Sequence, residues 1–428
     1  MHALASVRRE IGTRDPAARS TYLREFRQAF SKYQATLQPS ELDHELASAS
    51  VVLIGDYHAL PASQRFAASL VESLSHEAAI VLAAEAILSR DQQTLDFWWR
   101  RETGEEELRR QLRFDREWGY PWQPFYELLL TARDHAEGIY GLDCLPRHDL
   151  RRIRSRDRHA AAKVRQIREQ HPQSKIIVLF GESHLAPQHL PQRIRQALPE
   201  EKVLTVLQNL DSIYWQAAEA GASAVRVENA AVCVFNASPL EKYESYRICL
   251  ERWNAEADEA PDFAPAVYNL IFSLARTLGF RLDSPRNGTQ PKFLADSLPE
   301  VVSGSAAASV LNDRSCTYER QTNTLYIQEF KLADVATEAA RFLYWACQGG
   351  REATPVAGAI PDTLARFGAR LLCPEANFDW AAGNHGEELY AAYVQGRISK
   401  PTLRRLFLAH LDSAQAQQTM HQLSACVR

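Results

Sequence analysis

The feature that most constrains this chain is a series of short apolar runs separated by amphipathic stretches. The runs occupy residues 51–54, 79–84, 139–142, 176–180, 203–207 and 231–235. Several are too continuously apolar for a strand with one wet face. They read as strands buried on both faces, as in a parallel sheet covered by helices. Phe66, Leu70 and Leu74 recur at helical spacing and mark one covering helix, and Ile194 and Leu198 mark another. Strand alternating with helix implies an α/β fold with a mostly parallel sheet.

Three regions depart from this alternation. Near the N-terminus, Asp15-Pro16 reads as a cap and first-turn pair, and Tyr22, Phe26 and Phe30 share one face, so a helix is expected over 15–37. From about 88 to 133 no strand pattern occurs. That charged stretch, with Trp98, Trp99, Trp118, Tyr120, Trp122, Phe125 and Tyr126, reads as a helical lobe inserted after the second strand. Lids and substrate walls tend to lie there, although most such rings simply fill a lobe's own core. Past Pro239 the alternation ceases. Helices are expected over 264–278 and 332–347, the latter closed by Gly349-Gly350, with a hairpin over 316–328 and a loop over 283–290. The division expected is an α/β domain over 1–239 and a mostly helical α+β module over 240–428.

Composition enters where partners are at issue. With 428 residues, 46% hydrophobic and 24% charged, the chain can bury a full core without staples and is not a disordered or low-complexity sequence. A net charge of −4 gives no reason to expect nucleic acid. No apolar run approaches the ~20 residues needed to cross a bilayer. The opening MHALASVRREIGTRDP has too short an apolar run for a secretory signal, and no lipidation cysteine follows it. The seven cysteines are scattered, odd in number and without a CxxC pair, which suits a reducing compartment and argues against a cysteine zinc site. A cytoplasmic protein with no membrane segment is expected.

Two segments echo each other. One is Ile54-Gly55-Asp56-Tyr57-His58-Ala59-Leu60-Pro61, and the other is Phe180-Gly181-Glu182-Ser183-His184-Leu185-Ala186-Pro187. Each closes a buried strand and then gives Gly, an acid, any residue, His, two small or apolar residues and Pro. Glycine permits the turn off the strand tip, and the acid and histidine then lie at the carboxyl edge of the sheet, where open α/β folds bind ligands. Glu85 follows the second strand and Asp143 the third. Asp56, Glu85, Asp143, Glu182, His58 and His184 could therefore converge. Such a set can hold a divalent metal, with His58, His184 and Glu85 as ligands. It can equally run metal-free acid–base chemistry on water.

The stretch from Val51 to Asn209 resembles the ChaN-like haem-binding family, within the superfamily that also holds erythromycin esterases and TraB/TIKI proteins. The family's Gly-Glu-x-His motif corresponds to Gly55, Asp56, Tyr57 and His58, with Asp in place of Glu. Its strand-end Glu corresponds to Glu85, its late Gly-x-x-His motif to Gly181 through His184, and an esterase-like Arg-Asp-x-x-Met-Ala motif to Arg156-Asp157-Arg158-His159-Ala160-Ala161. The resemblance implies three activities. ChaN-like proteins bind haem and are iron-linked, often as lipoproteins. Erythromycin esterases hydrolyse a macrolide ester with the first histidine as base. TIKI-type members are metal-dependent proteases. Tyr57, His135, His148 and His159 are the candidate axial ligands if haem is bound.

From 147 to 168 there are nine Arg or Lys and two acids. Most of these charges read as the solvated face of a helix. Arg156 is set apart by the motif as a clamp for a substrate's anionic group, with Tyr57 and Asp143 beside it. His385, near two acids, is assigned no role. The reading is a hydrolase acting on an ester or amide bond of a small molecule or peptide, with His58, Glu85, His184, Glu182 and Asp56 as catalytic groups, with or without a divalent metal. The alternative is a haem-binding, iron-handling protein without catalysis. The second half carries no motif that assigns it a function; a partner-binding or dimerising module, and with it a homo-oligomer, is one further idea to test.

Overall fold

A computed structural model describes residues 2–14, 21–147, 152–254, 261–280, 298–311, 314–348, 359–374 and 385–408. Asp15-Pro16, His148, the 283–290 loop, Gly349-Gly350 and Cys426 lie outside the described residues. The chain forms two compact units, one over 12–246 and one comprising 1–11 and 247–428.

In chain order the first part runs α1 (His2–Arg14), α2 (Thr21–Ala29), β1 (Ala35–Leu37), α3 (Pro39–Ser48), β2 (Val51–Asp56), α4 (Pro61–Ser75) and β3 (Ile80–Leu88). The lobe follows as α5 (Gln92–Trp99), α6 (Glu105–Gln111), α7 (Phe114–Glu117) and α8 (Trp122–His135). Then come β4 (Gly138–Asp143), α9 (Ile153–Gln170), β5 (Lys175–Gly181), α10 (Leu190–Ala197), β6 (Val203–Gln208), α11 (Tyr214–Glu219), β7 (Ala224–Glu228), β8 (Ala231–Val234) and α12 (Pro239–Asn254). The strands form one eight-stranded sheet in the order β1-β7-β8-β6-β2-β5-β3-β4. The pairs from β8 through β4 are parallel, and β7 pairs antiparallel with both β8 and β1.

The continuous apolar runs are explained by burial on both faces. Along β2, Val52 and Ile54 join the core under α3, α4 and α8, while Val51 and Leu53 join the core under α2, α9 and α10. β3 and β5 divide in the same way, with Leu82 and Ile177 on one side and Ala83 and Val178 on the other. Each fully buried Val, Leu or Ile contributes about 1.5–3 kcal/mol, so the central strands anchor both layers.

Two strands of this sheet have no counterpart in the sequence pattern, β1 and β7. The expected helix over 15–37 is corrected here: among described residues it runs Thr21–Ala29, and Ala35–Leu37 is a strand paired with Ala224–Arg226. Three residues carry too little alternation to register, and only the partner strand makes them extended.

The second unit contains α13 (Ala264–Leu278), β9 (Glu300–Ser303), α14 (Ser305–Leu311), β10 (Cys316–Glu319), β11 (Thr324–Ile327), α15 (Leu332–Gln348), α16 (Ala359–Leu372), α17 (His385–Val394) and α18 (Lys400–Leu408). β10 and β11 form the expected hairpin, and β9 adds in parallel to β11. α13 stops at Gly279, which adopts φ 78° as a left-handed cap. A polar cavity of about 430 Å³ in this unit is lined by Arg314, Arg341 and Arg366 together with Glu338 and Asp362. Arg341 is already paired with both acids there. Among the described residues no helix is long and apolar enough to cross a membrane.

Candidate functional site

β2, β5, β3 and β4 are consecutive in the sheet, so their carboxyl ends deliver side chains to one place. Asp56 lies opposite Gly181, and His58 and His184 follow just beyond these tips. Glu85 lies within β3, where the register with β4 shifts between Ala84 and Leu88. Gly181 sits flush against the group: a Cβ there would meet Glu85 Oε2 at 3.0 Å and His58 Nε2 at 3.1 Å. Only glycine lets the β5 backbone approach so closely, and its N–H donates to Glu85 Oε2.

His58 Nδ1 pairs with Asp56 Oδ2 at 2.8 Å, and Gln64 holds the other Asp56 oxygen. That bond fixes the tautomer and leaves Nε2 facing Glu85 Oε2 at 3.8 Å. Burial opposes a charged imidazole here, but Asp56 and Glu85 outweigh it and raise the His58 pKa above the ordinary value.

His184 is arranged in the same way from the opposite side. Its Nδ1 pairs with Asp157 Oδ1 at 2.6 Å, and its Nε2 faces Glu85 Oε1 at 3.9 Å. The two imidazoles therefore address the two oxygens of one carboxylate. They differ in access, since the His58 side chain is 21% exposed and that of His184 only 4%.

Glu85 is kept ionised. Burial pushes its carboxyl up, but Arg156, the two histidines and the Gly181 N–H outweigh this and hold it at about 2. Arg156, on α9, also donates through Nε and Nη2 to Asp143 at 2.8 Å each. Asp143 further accepts from Arg147 Nε at 2.7 Å and from the Cys144 N–H. Arg147 in turn donates to the carbonyls of Glu85, Ala86 and Glu117, stapling the lobe to the irregular stretch of β3.

Beside this core lies a second pair, a buried Lys242 with a half-buried Glu182. Lys242 Nζ reaches both Glu182 oxygens at 3.0 and 3.1 Å and sits 4.6 Å from the Tyr57 ring centre. Burial raises the Glu182 pKa against the pull of Lys242. His58 is flanked by Trp118 and Tyr120, with ring centres 4.4 and 5.1 Å away. Other lobe rings, among them Trp98, Trp122, Phe125 and Tyr126, pack into the core.

The structure thus brings Asp56, His58, Glu85 and His184 together, with Arg156 and Asp143 behind them and Tyr57 and Glu182 beside them. Arg156 is directed at the protein's own carboxylates. Three contributors were not singled out as site residues in the sequence. Asp157 adjoins Arg156 in the quoted motif, so its signal was present. Tyr22 was read only as part of an apolar helix face, although its hydroxyl meets Asp157 and His184. Lys242 follows Pro239 in a stretch with no motif.

Residues 42–175 match the family described as haem-binding uptake, Tiki superfamily, ChaN. This segment is ChaN-like. It contains Asp56, His58, Glu85, Asp143, Arg156 and Asp157, whereas Tyr22, Gly181, His184 and Lys242 lie outside it. The chain is similar to ChaN of Campylobacter jejuni, described with cofacial haem binding, at 16% identity and a TM-score of 0.30, covering 40% of this chain and 86% of that one. It is also similar to the type III effector HopBA1 at 14% identity and a TM-score of 0.35, covering 48% of this chain and 97% of that one. No curated protein matches the chain.

A divalent metal and haem can each be tested against these side chains. For a divalent metal, two Nε2 atoms and one carboxylate are suitable donors. Both Glu85 oxygens are already engaged, however, one by Arg156 and one by Gly181, and the guanidinium charge opposes a cation. Among the described residues no group of three His, Cys, Asp or Glu is disposed to hold a metal ion. For haem, burial and the acids Glu182 and Asp211 raise the Tyr57 phenol well above 10, away from the phenolate an iron needs. His159 Nε2 is bonded to Ser89 at 2.8 Å, and His135 ends α8, at the amino edge of the sheet. The residues as placed fit neither group well.

Proposed function

We propose that the protein is a hydrolase-type enzyme that activates water at His58 for attack on an ester or amide bond. The observation that carries this reading is the pair of imidazole Nε2 atoms, each oriented by its own carboxylate, facing one ionised Glu85. The gaps of 3.8 and 3.9 Å exceed a direct hydrogen bond and suit a bridging water. His58, the accessible member, is the general base: neutral, it takes a proton from water at Nε2. Asp56 and Glu85 then stabilise the imidazolium that forms. Glu85 orients the water. Arg156 holds Glu85 ionised, and Asp143 holds Arg156. His184 completes the site from the buried side, and Glu182 with Lys242 forms its edge beside Tyr57. Trp118 and Tyr120 form an apolar wall for the substrate.

Turnover of a panel of p-nitrophenyl esters and anilides tests this. His58→Gln should lower turnover about 10²-fold or more, the usual contribution of a general base. Equal turnover by wild type and variant would remove His58 from that role.

The rival reading, a haem-handling protein, is supported by the described function of the matched family. Hemin titration followed in the visible separates the two, because a saturable Soret shift at micromolar hemin would favour it. We also place the protein in the cytoplasm. Cys144, Cys233, Cys316 and Cys347 are thiols rather than disulfides, which supports a reducing compartment.

A further inference from the structure

Helix α2 lies upstream of the ChaN-like segment, yet it reaches the buried half of the site. Tyr22 is only 4% exposed, and its hydroxyl lies 2.9 Å from Asp157 Oδ2 and 3.1 Å from His184 Nδ1. A phenol has one proton and a carboxylate only accepts, so that proton goes to Asp157. The His184 Nδ1–H, 2.6 Å from Asp157 Oδ1, points to the same carboxylate. Donor and acceptor roles are thereby settled around the triangle, and Nε2 is the ring nitrogen of His184 that faces Glu85. Burial and the negative charge of Asp157 keep the phenol protonated.

Tyr22 is itself held in place. Its ring stacks on His189 with centres 3.6 Å apart and planes 9° from parallel. His189 Nε2 meets Glu25 Oε2 at 2.7 Å, and Nδ1 meets the Ser183 carbonyl at 3.1 Å. Both partners are acceptors, and the ring bridges them. Tyr22 and Glu25, adjacent turns of α2, thus dock on the segment that carries Ser183 and His184.

We propose that Tyr22 is a positioning residue: it fixes Asp157, and through it aims His184 at Glu85, so the site is incomplete without α2. The catalytic consequence rests on the hydrolase reading above, but the hydrogen-bond role does not. The test uses the full chain labelled with ¹⁵N-histidine and follows solvent exchange of the two imidazole Nδ1–H protons. Tyr22→Phe keeps the ring stack and removes only the hydroxyl. The His184 proton should exchange about tenfold faster, as expected for loss of one hydrogen bond, while the His58 proton, held by Asp56, is unchanged. Equal exchange of the His184 proton in variant and wild type would overturn the proposal. Should the variant fail to fold, wild type alone decides, because the proposal requires His184 in the Nδ1–H form and a Nε2–H form would overturn it. Neither readout needs turnover. Altered exchange in a protein without hydrolytic activity would support Tyr22 and count against the hydrolase alone.

Discussion

Replacing Arg156 by Met is the perturbation with the most to say about how the site is held. Arg156 is 7% exposed and ties Glu85, 3% exposed, to Asp143, 1% exposed. Asp143 would keep Arg147 and the Cys144 N–H. Glu85 would keep the Gly181 N–H on one oxygen and lose its nearest cation. Removing one partner of a buried ion pair costs about 3–5 kcal/mol. Arg156 is the largest of the groups that hold the Glu85 carboxyl below its ordinary value against burial, ahead of the two histidines and the Gly181 N–H. Against a total stability of about 5–15 kcal/mol the loss is large. The pH dependence has a definite sign. A depressed carboxyl contributes its full stability above its unfolded value and loses it as pH falls through the folded one. The gap between wild type and Arg156→Met should therefore be widest near pH 7 and narrow below about pH 4. Urea unfolding at a series of pH values measures it. A variant as stable as wild type at pH 7, or a gap independent of pH, would refute the clamp.

Other expectations follow from the same contacts. Asp56→Asn should free the His58 tautomer and lower turnover by about 10²-fold or more. It should also move the acid limb of the pH–rate profile down, because Asp56 is the chief group raising that imidazole; steady-state rates across pH 5–9 test both. In wild type that limb should lie above the ordinary histidine value of about 6.5, since the base must be neutral. Trp118→Ala should raise KM more than it lowers kcat, because the ring lies beside His58 in the position proposed for the substrate wall. Lys242→Met should destabilise the protein, read as a lower urea midpoint, but by less than the about 3–5 kcal/mol of a fully buried pair, because the Glu182 left without its cation is 17% exposed.

The central strands were legible because both faces of each are buried, so the sequence there is continuously apolar. The two strand-tip motifs were legible because glycine, acid and histidine recur in one order. What escaped depends on tertiary partners. Ala35–Leu37 is extended only because β7 lies beside it. Lys242 becomes part of the site only because α12 brings it to Glu182. Tyr22 occupies an apolar helix face and still makes polar contacts through its hydroxyl alone, which no periodicity separates from a core ring. The motif marked Arg156 as special, but that it would face Glu85 and Asp143 depends on where α9 packs against β3 and β4.

In the proposed reaction a carboxylate-oriented His58 beside an ionised Glu85 activates water without a bound metal. Ester turnover by exhaustively chelated wild-type protein, assayed beside His58→Gln under the same conditions, tests this. The chelated wild type should keep its turnover, and the variant should fall about 10²-fold or more below it. Turnover abolished by chelation and restored by a divalent cation, or an unimpaired His58→Gln, would contradict it.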